Sequence, residues 1–253
     1  MRQKAVVGNW KLNGSLGTNE ALLKALLREV PRNPPAACAV CVPSPYLAQA
    51  RQLLEGSGIG WGSQDVSRYD KGAYTGDVSG AMVADLGARY AIVGHSERRT
   101  IFGETDEVVA EKYAAARRAK LTPVFCVGET LAERERGETE AVLARQVDAL
   151  LAKCGAAELA GGIVAYEPVW AIGTGKTATS AQAQEAHAFI RSRVGSVGAE
   201  LPILYGGSVK AGNAGELFAM ADVDGGLVGG ASLVAEEFVA IWRAAVAVAQ
   251  KGK

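Results

Sequence analysis

At 253 residues, of which 49% are apolar, the chain can bury one large core, and α/β barrels of this size form a single domain. Its 27 Lys and Arg balance 27 Asp and Glu, so no basic surface invites nucleic acid and no polybasic face invites a membrane. With only two histidines, His95 and His187, too far apart for a helical ligand pair, no metal is expected.

Met1-Arg2-Gln3-Lys4 runs straight into the strand-like AVVGN (5–9), with no signal-peptide core behind the charges, so a cytoplasmic location is expected. The helical-period NEALLKALLREV leads to ACAVCV (37–42), which contains a C-x-x-C. Its odd spacing points Cys38 and Cys41 to opposite faces of a strand, which predicts buried structural thiols rather than a redox pair or half a zinc site. GIGWGSQ (58–64) is followed by DVSRYDKGAYTGDVS (65–79), a long loop without periodicity, which in a compact domain marks function or an interface. YAIVGH (90–95), the helical EVVAEKYAAARRAK and TPVFCV (122–127) come next. Glu129 with Thr130 is read as a structural cap or pair. After AVLARQVDALLAKC comes GIVAYE (162–167), and then a loop from Pro168 to Ala178. Thr179-x-x-Gln182 is a capping box that opens AQAQEAHAFIRSRV, in which His187 is read as a surface residue with no role. PILYGG (202–207) and DGGLVGG (224–230) complete the strands. The last apolar segment, LVAEEFVAIWRAAVAVAQ, is broken by Glu236, Glu237 and Arg243 and cannot span a bilayer.

Strand alternating with helix eight times requires parallel neighbours joined by crossovers, and eight such units in this length suit a closed (β/α)8 barrel of one domain, residues 1–253. Asn9 and Lys11, Gln64, His95, Glu129, Glu167, Ser208 and Gly229-Gly230 each follow a strand, on the rim where barrel enzymes build their sites. AYEPVWAIGTGKTAT (165–179) joins a carboxylate to glycines that suggest a nucleotide loop. A P-loop would need Gly where Trp170 stands, and five residues separate the loose G-x-G-x-x-A from its strand, so both nucleotide readings fail and no cofactor is expected.

GNWKLNG (8–14), VGHSERR (93–99), FCVGETLAERERG (125–137), YEPVWAIGTGKTAT (166–179), YGGSV (205–209) and GLVGGASL (226–233) together resemble the triosephosphate isomerase family, in order and over essentially the whole chain. The resemblance implies isomerisation of a triose phosphate through an enediolate. Glu167 would be the base, with His95 and Lys11 donating to the enediolate oxygens, Asn9 in support and Glu97 helping to hold Lys11. Gly173, Ser208, Gly229 and Gly230 would bind the phosphate through a nest of donors, and the segments around Trp170 and Lys176 would hinge a lid. Residues 65–79, around Thr75 and Gly76, would insert into a second subunit, making a homodimer. Leu12 stands where the family commonly has Met, bearing on the packing behind Lys11, and Ser63 where Ala is usual. A Schiff-base aldolase using Lys11 and a silent phosphate-binding scaffold remain alternatives at this point.

Overall fold

A computed structural model describes residues 2–172 and 177–251. Among these residues, parallel strands close into a barrel in chain order. They are β1 (Ala5–Asn9), β2 (Ala37–Val42), β3 (Ile59–Ser63), β4 (Tyr90–Val93), β5 (Thr122–Val127), β6 (Ile163–Tyr166), β7 (Ile203–Tyr205) and β8 (Gly225–Val228). The outer ring is α1 (Leu16–Glu29), α2 (Leu47–Leu54), α3 (Gly80–Asp85), α4 (Ser96–Phe102), α5 (Asp106–Arg118), α6 (Leu131–Glu135), α7 (Thr139–Leu159), α8 (Ser180–Arg193), α9 (Ala211–Ala219) and α10 (Ala235–Lys251). The barrel closes where β1 pairs with β8, Ala5 opposite Gly225 and Gly8 opposite Val228. Among the described residues, no helix is long and apolar enough to cross a membrane.

Strands covered on both faces read as continuous apolar runs, which is why the sequence shows little alternation. Their side chains nevertheless divide between two cores. Ala39, Cys41, Ile92, Val124, Ala165 and Leu204 fill the barrel, where taper favours small and branched residues. Cys38, Val40 and Val42 of β2 face the helices, with Trp10, Tyr113, Phe125 and Phe238. The C-x-x-C is therefore split between the two cores, both thiols buried and free, as its spacing predicts. Each large apolar side chain so buried contributes roughly 1.5–3 kcal/mol.

Local chemistry places the helix starts. Thr179 caps α8 with Gln182, as the sequence predicts, and Ser15 caps α1 through a capping box with Thr18 that the sequence reading did not single out. α7 runs past the predicted end at Cys154 to Leu159, although Gly155, at φ 77°, interrupts its helical backbone.

Two expectations are overturned. His187 is not at the surface: it is 0% exposed, its ring edge-on to Tyr166 and tilted against Tyr205. It lies on the buried stripe Ala183–Ala186–His187–Ile190, the i, i+3, i+4, i+7 face of α8, so the period was present in the sequence and the residue's polarity hid it. Leu12 does not pack behind Lys11; it is 97% exposed.

Candidate active site

β1 ends at Asn9, whose side chain is turned inward and buried; its Oδ1 accepts the Lys11 N–H at 3.0 Å. Lys11 has φ 52°, a left-handed conformation that non-glycine residues adopt only when their surroundings over-determine it. Gln64, just past β3, supplies that constraint by donating from Nε2 to the carbonyls of Lys11 (2.8 Å) and Cys41 (3.1 Å). The Lys11 ammonium thereby reaches across the rim and donates to Glu97 Oε1 at 2.5 Å.

His95 follows β4 and caps α4, its Nδ1 accepting the Glu97 N–H at 3.3 Å. A ring nitrogen that accepts carries no proton, so the neutral ring holds its hydrogen on Nε2, which lies 2.9 Å from Glu167 Oε1. Glu167 follows β6 and is 2% exposed; its Oε2 accepts the Ser96 N–H at 2.9 Å, and its Oε1 accepts the Ser96 hydroxyl at 3.3 Å. The backbone around it is tightly fitted: a Cβ on Gly128 would fall 1.7 Å from the Glu167 carbonyl oxygen.

The buried pair perturb each other in opposite directions. Burial is the largest influence on Glu167 and raises its pKa, but the His95 ring and the Ser96 N–H outweigh it and hold the carboxyl below its usual value. For His95, burial opposes the charged ring, while the Glu167 and Glu97 carboxylates more than offset it and lift the pKa. The Glu97 N–H directed at Nδ1 works against protonation there.

Ser208 after β7 and Gly229-Gly230 after β8 share with Asn9, Lys11, His95 and Glu167 one cavity of about 320 Å³. Gly230 begins a short 3₁₀ turn (Gly230–Leu233) whose first N–H groups have no partner within the turn. Glu129 is structural, as expected: fully buried, it accepts from Tyr166 Oη (3.1 Å), Trp170 Nε1 (3.0 Å) and Arg134 (3.0 Å). Thr75 and Gly76 stand at the exposed tip of their loop and do not line this chain's cavity. That tip is braced by the stacked rings of Tyr69 and Tyr74, centroids 3.7 Å apart, and by Ser67 donating to Asp77 at 2.6 Å. Gly173 and Lys176 lie outside the described residues.

Sequence reasoning did not foresee Ser96 as the group that holds Glu167, nor Gln64 as the clamp on Lys11. Ser96 lies in the VGHSERR motif and Gln64 ends the GIGWGSQ run, but their partners lie 71 and 53 positions away.

A carboxylate, an imidazole N–H and an ammonium around a pocket with backbone donors at its far end suit proton transfer next to a carbonyl on an anionic substrate. Residues 4–245 match the family model described as triosephosphate isomerase. A protein of that name from Thiobacillus denitrificans is 60% identical over 249 residues, covering 97% of this chain and 99% of the relative. Those from Nitrosomonas europaea and Ralstonia nicotianae are each 58% identical, covering 95% and 96% of this chain and 97% and 99% of the relatives.

Proposed function

The chain belongs to the triosephosphate isomerase family and interconverts dihydroxyacetone phosphate and D-glyceraldehyde 3-phosphate, and from that premise we propose how its residues divide the work. Glu167 is the base that removes the proton next to the substrate carbonyl. His95 donates from Nε2 to the developing enediolate oxygens, with Lys11 supplying positive charge and Asn9 fixing the Lys11 backbone. Glu97 holds the Lys11 ammonium in place. Ser208, Gly229 and Gly230 bind the phosphate, joined by Gly173 on the sequence reading alone. The observation that carries this division is the convergence of Glu167, His95 and Lys11 on one cavity whose other end is Ser208 and the Gly229-Gly230 turn.

The contacts that Glu167 makes with its neighbours also bear on how the base is switched on. While Glu167 rests on His95 and the Ser96 N–H, those contacts offset the effect of burial on its carboxylate. A substrate that enters between Glu167 and His95 removes one of them and leaves burial to raise the carboxylate's basicity where the proton is taken. The freed Nε2–H then points at the substrate oxygen. Lys11, bound to Glu97 as an ammonium, is not a free amine nucleophile, so a Schiff-base route has no support.

We read residues 1–253 as one catalytic domain acting in the cytoplasm as a homodimer. The dimer reading is supported by the large apolar side chains Leu12, Ile101 and Phe102 standing exposed, and by the braced loop 65–79 with Thr75 and Gly76 at its tip. A coupled assay with D-glyceraldehyde 3-phosphate tests the division of roles: wild type should turn over, and E167Q should bind a substrate analogue without turnover. Activity of E167Q equal to wild type would remove Glu167 from the role of base.

A further inference from the structure

The charges around the cavity do not by themselves favour a phosphate dianion. Lys11 is matched by Glu97 at 2.5 Å, and the buried Glu167 is held ionised, so these three groups sum to one negative charge. Lys210 also lines the cavity, beside Ser208 and at the phosphate end. Its side chain is exposed, and among the described residues it meets no carboxylate within 4 Å. Glu237, which shares a neighbouring groove with Lys210, accepts the Ala211 N–H at 3.2 Å, so its charge is set against the start of α9.

We propose that Lys210 is a steering residue for the reaction, drawing the substrate's phosphate dianion to the cavity mouth rather than holding it once bound. The inference rests on the phosphate assignment made above. An unpaired cation at the rim of a low-dielectric pocket raises the local concentration of anions and their rate of association, and salt screens that attraction. Lys210 contributes to the fold through its backbone, whose N–H donates to Asn213 Oδ1 at 2.8 Å, so side-chain substitutions leave the start of α9 intact.

The test is kcat/KM for D-glyceraldehyde 3-phosphate, measured for wild type, K210Q and K210E across a sodium chloride series. At about 10 mM ionic strength K210Q should lose roughly two- to five-fold and K210E more, with kcat held within about two-fold. The three proteins should converge near 1 M, where the screening length is about 3 Å. Wild-type turnover with identical kcat/KM and identical salt slopes in all three would overturn the inference while leaving the active site as assigned. A loss that persists unchanged at 1 M salt would also overturn it, by making Lys210 a binding contact. Absence of wild-type turnover would overturn the site assignment and this inference together.

Discussion

Acid should weaken this barrel through His187, a residue outside the chemistry. The Nδ1 of His187 lies 3.2 Å from the Asp222 carbonyl, an acceptor, so Nδ1 carries the ring proton and Nε2 is bare. Nε2 is buried and has no hydrogen-bond partner among the described residues. A second proton would therefore put a charged N–H among Tyr166, Tyr205 and the strand backs, where Nε2 has no hydrogen-bond partner among the described residues. Burial, the dominant cause, pulls the pKa from 6.5 to about 4, against the weaker opposing effects of the Asp222 carbonyl and Asp224. The unfolded chain has no such constraint and takes up the proton near 6.5. Stability from neutral His187 is thus fully present above about pH 6.5 and is lost as pH falls toward about 4. The gap between those values corresponds to about 3 kcal/mol at its limit. Urea unfolding from pH 7.5 to 4.5 at fixed protein concentration measures it, with H187Q as reference. The glutamine amide can still donate to the Asp222 carbonyl but does not titrate. H187Q should start less stable at pH 7.5 and lose less as pH falls, because the glutamine side chain takes up no proton over that range. Parallel stability curves for the two would refute the assignment of the acid sensitivity to His187.

Three further outcomes are expected. E167Q should lose about 10²–10⁴-fold in turnover while keeping affinity for a substrate analogue, measured by the coupled assay and by calorimetry. H95A should lose about 10²–10³-fold, and nitrogen-15 NMR of the liganded wild type near pH 7 should show a neutral ring protonated on Nε2; an imidazolium signal would refute the tautomer argument. G128A should destabilise the barrel by about 3 kcal/mol or more in urea unfolding, because its Cβ would meet the Glu167 carbonyl oxygen at 1.7 Å; a stable, active G128A would refute that approach of β5 to the base.

The sequence by itself determined what depends on short-range pattern. Apolar runs alternating with 3.6-period helices specify the closed barrel, because each element must bury its own face and parallel strands require crossovers. Thr179 and Gln182 mark the start of α8 because a capping box closes within four residues. Asn9, Lys11, His95 and Glu167 could be assigned to one rim because each follows a strand and barrel strands all point the same way. Tertiary structure alone decided which of these side chains touch and what they do to one another's protons. The Ser96 N–H reaches Glu167 and Gln64 clamps the left-handed Lys11 only because closing the barrel brings distant strand ends together. It also decided the fates of His187, whose place on the buried stripe of α8 was set by packing against β6 and β7, and of Leu12, left bare on a loop tied down at its neighbour. Local pattern records the period of an element and the chemistry of its ends. Burial, tautomer and pKa arise from contacts across the barrel, which no window along the chain contains.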